Sequence, residues 1–290
     1  MHIPVLTEKV LAYLDPTANE NFIDCTMGEG GHAPKILERT GPKGKLLGID
    51  MDPDALQRAG ETLKRQKERI IFVQGSFAHL KMIAEKEKFR QVHGILFDLG
   101  FSSNQIEKSK RGFSFLRAEP LDMRFDPENP VTAQKFINYA SKQELVEVLK
   151  EYGEERFANA IAQGILRERR HKPIATTFQL VKTVEEAVPG WYKRRRIHPA
   201  TKTFQALRIA VNKELDNLKV ALPQALEMLS SSGRLVVISY HSFEDRIVKN
   251  FFRANPALTI LTKKPVVPSA NEIRKNPRSR SAKLRAALKR

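Results

Sequence analysis

With 290 residues, 41% of them hydrophobic and 29% charged, the chain is long enough to bury a real core and too apolar to be a disordered polymer. One cysteine, Cys25, excludes an internal disulfide and a multi-cysteine metal site and fits a reducing cytosol; no apolar run reaches the length of a membrane span, and His2, Glu8, Lys9 and Asp15 leave no signal-peptide core. The net charge of +17 calls for a polyanionic partner, most simply nucleic acid.

In chain order, Val5–Leu14 carries Leu6, Val10, Tyr13 and Leu14 at helical spacing and stops at Asp15-Pro16. A strand over 21–25 runs into Asp24-Cys-Thr-Met-Gly-Glu-Gly-Gly31, and a helix follows to Thr40, with Pro34 suited to its first turn. Strands are predicted over 45–50, 69–74 and 92–98, alternating with helices from Asp52 to about Lys67 and, after Gly75-Ser-Phe77, to about Arg90. The alternation then stops. Residues 104–130 read as irregular, and 132–138, 142–150, 154–169 and 176–187 read as helices with no strand between them. A long helical stretch from Phe204 to Leu229, interrupted at Pro223, leads to a strand over 233–239 and a helix to Phe252. Leu258–Leu261 and Pro265–Pro268 suggest a closing hairpin. From Ser269 the composition is that of a basic tail that should be disordered on its own, with order requiring an anionic partner or packing against the rest of the chain.

This rhythm predicts an α/β fold, a mostly parallel doubly wound sheet with an inserted all-helical subdomain. The expected segments are 1–107 and 206–262 for the sheet domain, 108–205 for the helical insert and 263–290 for the tail. Charge follows the same division: net +7 in the insert, +9 in the tail and +1 in the rest. The Trp191-Tyr192 pair beside Lys193, Arg194, Arg195 and Arg196 suggests aromatic stacking on bases with cations on phosphate.

The glycine loop is the centre of the chemistry. Gly28-x-Gly30-x-x-Ala33 with Asp50 about 20 residues on satisfies the loose dinucleotide fingerprint. A pyrophosphate wants bare N–H groups, however, and here Asp24 and Glu29 stand at the loop. Two carboxylates favour a cationic ligand such as S-adenosylmethionine over NAD(P), with Asp50 accepting from ribose hydroxyls. Asp98 ends an apolar strand before Leu99-Gly100, where a carboxylate can accept N–H bonds from an amine under methylation. The seven histidines hold no i, i+4 ligand pair, so no metal site is expected. An oxidoreductase, a non-catalytic RNA-binding assembly factor and a DNA amino-methyltransferase stay open as alternatives.

Seven blocks carry a resemblance: His2-Ile-Pro-Val-Leu, Asp24–His32, Gly48-Ile-Asp50, Asp98–Ser103, Pro120–Asp126, His198-Pro-Ala-Thr and Ser239–Arg246. In this order they resemble the RsmH (MraW) family, over residues 2 to about 250. The resemblance implies a Rossmann-like class I methyltransferase, cytoplasmic, that uses S-adenosylmethionine to methylate N4 of a cytidine in the decoding region of bacterial 16S rRNA, in the small ribosomal subunit. It implies cofactor contacts at Gly30, Gly31, His32, Asp50, Phe77, Asp98 and Gln105. His198, Arg208 and His241 would flank the cytidine, with His241 a candidate proton acceptor beside catalytic Asp98. Other amino-methyltransferases place an aromatic in the motif that opens with this carboxylate; Phe101 is the candidate for that place here.

Overall fold

The computed structural model describes residues 4–100 and 109–290. They divide into two compact units, one of Met1–Gly100 with Leu215–Arg290 and one of Phe101–Glu214.

The first unit holds α1 (Thr7–Leu14), β1 (Asn21–Asp24), α2 (Ala33–Arg39), β2 (Leu46–Asp50), α3 (Pro53–Thr62), β3 (Ile70–Gln74), α4 (Leu80–Lys86) and β4 (Val92–Asp98). The helical unit follows, with α5 (Ala133–Tyr139), α6 (Lys142–Glu151), α7 (Ala158–His171), α8 (Thr177–Ala187), α9 (Gly190–Lys193) and α10 (Ala200–Asn212). The chain then completes the first unit with α11 (Glu214–Met228), β5 (Leu229–Ser239), α12 (Ser242–Ala254), β6 (Leu258–Ile260), α13 (Ala270–Lys275) and β7 (Lys283–Lys289).

Seven strands form one sheet in the order β3-β2-β1-β4-β5-β7-β6. β3, β2, β1, β4 and β5 are parallel, and β7 pairs antiparallel with both β5 and β6. Alternation along each strand explains the two covered faces, because successive side chains point to opposite sides. Phe22, Leu46, Leu96, Val236 and Ala286 pack into one buried cluster, while Ile23, Leu47, Ile95, Val237 and Ala287 pack into the other. The strand order reverses between β1 and β4, and ligands of such sheets sit outside the carboxyl ends at that switch.

Three expectations are corrected here. The segment from Ser269 is not a disordered tail: it folds into α13, a 3-10 turn over Pro277–Ser281 and the inner strand β7, whose Leu284, Ala286 and Ala287 are fully buried. Its cations are partly structural, since Lys289 donates to the Glu227 and Leu229 carbonyls and Arg285 pairs with Asp245. The closing hairpin does not form either. Leu258–Ile260 pairs with β7, and Val266 bridges to Leu284 of the same strand. Finally, Pro223 lies inside α11 without ending it, and the break falls at Lys213, whose φ of 51° closes α10 in the left-handed region.

The helical unit has its own core, including Leu121, Ile137, Leu149, Ile161, Ile165, Leu180 and Val184. Phe204, Leu207 and Val211 of α10 belong to that core, so the helical unit runs past residue 205 to Glu214. Thr132, Ser141 and Thr176 cap α5, α6 and α8 through their hydroxyls, the last two with reciprocal Glu144 and Gln179 bonds.

Candidate active site

β1 delivers Asp24 into the sheet's interior and releases the chain into the glycine turn. Gly28 and Gly30 have φ of 51° and 81°, a region that glycine enters without a side-chain clash. The turn is held from two sides. Asp50 Oδ2 accepts from the Gly28 N–H at 2.7 Å, and Asp50 Oδ1 accepts from the Asp52 N–H at 2.9 Å. Each oxygen keeps a further lone pair, so Asp50 can still receive ribose hydroxyls. Gly31 follows half-buried, and α2 starts at once after His32.

Asp24 is 1% exposed and accepts from the Thr26 N–H at 3.1 Å. Burial raises its pKa to about 6, with His32 and the Thr26 N–H pulling the other way. Asp50 is raised to about 6 as well, again chiefly by burial, and partly offset by its two backbone donors. Cys25 is buried beside them with its thiol pushed well above the ordinary range, so it is packing rather than a nucleophile. Glu29 is paired with Arg58 at 3.2 Å. The loop charge inferred from two free carboxylates therefore rests on Asp24, Asp50 and Asp98, and not on Glu29.

Asp98, at the tip of β4, reaches the loop. Its Oδ2 lies 3.3 Å from His32 Nε2, and its own N–H donates to Thr26 Oγ1 at 2.6 Å. Its Oδ1 accepts from the Tyr240 hydroxyl at 2.9 Å and from the Gly100 N–H at 3.3 Å. Sequence reasoning missed Tyr240. Only the fold reveals it: Ile238 pairs with Asp98 in register, and Tyr240, just past the end of β5, stands beside the same carboxylate. Gly100 makes room for it, because a Cβ there would lie 2.6 Å from the Tyr240 ring. Burial and Asp98 together hold the phenol protonated, well above its ordinary pKa, so it acts as a donor.

Phe77 stands half-buried in a 3-10 turn after β3, its ring edge-on to Phe97 at 5.5 Å. His241 stands at the start of α12. It caps α12, its Nδ1 accepting from the Glu244 N–H, while Glu244 Oε2 accepts from the Tyr240 and His241 N–H groups at 2.7 and 3.2 Å. With Nδ1 an acceptor, the neutral ring carries its proton on Nε2, which faces Glu244 Oε1 at 3.1 Å without hydrogen-bond alignment. His241 and the buried Glu244 fix the turn that presents Tyr240.

Phe101 and Gln105 lie outside the described residues. Within the helical unit, Arg194, Arg195 and Arg196 are exposed, and Arg195 lies over the Tyr192 ring. Tyr192 is buried and donates to both oxygens of Glu155, so it cannot stack on a base; Trp191 is half-exposed against Phe157 and Arg156. Arg208 forks onto Glu214 with two bonds of 2.8 Å, and His198 stacks on Phe115 with Nε2 3.3 Å from Glu185.

A cationic ligand with a ribose suits these residues. Carboxylates end β1, β2 and β4, backbone turns at two glycines, and His32, 5% exposed, has a buried Nδ1 with no hydrogen-bond partner among the described residues. The sequence model of the MraW methylase family matches residues 1–290. Ribosomal RNA small subunit methyltransferase H of Thermotoga neapolitana is 50% identical, over 99% of this chain and 95% of its own length. The chain belongs to the MraW methylase family. The enzyme of the same name from Dehalococcoides mccartyi is 46% identical over 99% of this chain and 86% of its own. A solved putative rRNA methylase from Clostridium thermocellum aligns over the whole of both chains at 13% identity and a TM-score of 0.47. As an MraW-family methylase this chain is a methyltransferase, and its methyl donor is S-adenosylmethionine. No helix among the described residues is long and apolar enough to cross a membrane.

Proposed function

We propose that this methylase transfers a methyl group to N4 of a cytidine in the decoding region of bacterial 16S rRNA, acting in the cytoplasm on the small ribosomal subunit. The observation that carries the reading is the carboxylate of Asp98, set against His32 of the glycine loop on one oxygen and Tyr240 on the other. The methylase relatives named for ribosomal RNA of the small subunit supply the substrate class.

When bound, S-adenosylmethionine supplies an electrophilic methyl on a sulfonium. Gly30, Gly31 and His32 would hold it by the loop, Asp50 by the ribose and Phe77 beside the adenine. Gln105 remains a cofactor candidate by resemblance alone. The exocyclic amine of cytidine is a weak nucleophile because its lone pair is delocalised into the ring. As nitrogen becomes tetrahedral it gains positive charge, and an acceptor on its N–H stabilises that change. Tyr240 and Gly100 occupy Oδ1, so Oδ2 is the oxygen of Asp98 assigned to the amine. Tyr240 then acts as a positioning residue through its hydroxyl bond to Asp98 Oδ1. We keep Arg194, Arg195, Arg196 and His198 as RNA contacts, and give Arg208 a structural part through Glu214.

Mapping methylated nucleosides by mass in small-subunit RNA, with and without the gene, tests the substrate. Absence of any difference at cytidine would overturn it. Asp98→Ala should lower turnover by about a hundredfold or more while leaving the fold intact. Normal turnover in that variant would remove Asp98 from the mechanism.

A further inference from the structure

A cavity of about 390 Å3 opens at the β6 side of the sheet, where α12 packs on β6 and β7. Phe252 and Ile260 line it with carbon; Lys249, Arg253, Lys263 and Arg285 line it with positive charge, and no carboxylate does. Arg285 is buried and already forked on Asp245 at 2.6 and 3.2 Å, and Lys283 sits at the same carboxylate. Lys249, Arg253 and Lys263 form no hydrogen bond or ion pair among the described residues. Lys249 and Arg253 stand four residues apart, so they share one face of α12. That helix starts two residues after Tyr240, at the site itself.

Like charges gathered around one concavity repel each other, and while Asp245 answers Arg285, no described acidic group pairs with Lys249, Arg253 or Lys263. A polyanion neutralises them. The apolar lining suits the sugar or base face that an RNA backbone brings and a free phosphate lacks. We propose that this cavity docks the phosphodiester backbone of the RNA substrate, as a contact distinct from the Asp98 cleft and from the arginines at 194–196. The proposal rests on the reading of the substrate as RNA.

The test is the triple variant Lys249→Gln, Arg253→Gln, Lys263→Gln in the full chain, with binding of a 16S decoding-region fragment followed by anisotropy across a salt series. Affinity at low salt should fall about tenfold or more, and the slope of log K against log salt should become shallower by about 2, since each neutralised single-strand phosphate contributes ~0.7. S-adenosylmethionine affinity and melting temperature should match the parent. A second triple, Lys64→Gln, Arg65→Gln and Lys67→Gln, removes the same charge from exposed positions before β3 and should change the slope by less than half as much. Equal losses from both triples, or an unchanged slope in the first, overturn the site. So does displacement of the RNA by inorganic phosphate as efficient as by competitor RNA. A parent that methylates RNA while the first triple is silent sinks this proposal alone; a parent that neither binds nor methylates RNA sinks the substrate reading beneath it.

Discussion

Asp24 and Asp50 are carboxyls that burial holds protonated up to a pH of about 6. Each pKa is raised on folding, so each stabilises the fold when protonated: that contribution is complete below about pH 4 and is lost as pH rises through 6. For Asp24, 1% exposed, the loss is about 3 kcal/mol. The free protein should therefore melt lower at pH 7 than at pH 4.5 by this effect, and Asp24→Asn should flatten the fall, as calorimetry across that range would show. A cationic donor favours the ionised carboxylates, so its thermal shift should be larger at pH 7.5 than at pH 5. Tyr240→Phe keeps the ring against Gly100 and removes one hydrogen bond to Asp98. Turnover should fall about ten- to hundredfold, by the worth of a bond to a charged group, with cofactor affinity unchanged. Tyr240→Ala should fall as far; rescue by Phe would mean that the ring, and not the hydroxyl, is what matters. Asp24, Asp50 and Asp98 were legible in the sequence because each ends an apolar strand. Tyr240 was not, because its partner is 142 positions away and only strand register joins them.

Among the elements, β7 differs most from its composition. Lys283-Leu-Arg-Ala-Ala-Leu-Lys289 has two alanines and three cations, little to mark an inner strand. It is stabilised by place: β5 and β6 pair with its two edges, and Leu284 is fully buried. Leu284→Ala should cost about 2–5 kcal/mol in chemical denaturation, and removal of residues 269–290 should leave an aggregating sheet with an open edge rather than a soluble enzyme with weaker RNA binding. Recovery of such a truncation as a folded, cofactor-binding protein would contradict this. The helices of 133–187 were readable from apolar spacing and their Ser and Thr caps. The break at Lys213 was not, since a lysine in the left-handed region has no mark in sequence, whereas Pro223 drew attention it did not merit.

At the scale of the whole molecule, the alternation of strands and helices made the parallel sheet visible, and its loss after residue 98 made the helical unit visible. Charge was a coarser guide. The excess at 263–290 marked a real concentration of cations, but Arg285 and Lys289 are spent on Asp245 and on backbone carbonyls, and such pairings over 40 to 62 positions are beyond any local pattern. The division into two units also has a consequence for biosynthesis. β4 is flanked by β1 on one side and by β5 on the other, and roughly 130 residues separate the two strands that meet there. At elongation speeds of about 5–20 residues per second the ribosome needs on the order of ten seconds to make that interval. Through all of it the nascent sheet shows an apolar, unsatisfied margin along Val92–Asp98, the kind of surface that chaperones hold, and the pocket around Asp98 can be completed only once Tyr240 has been translated.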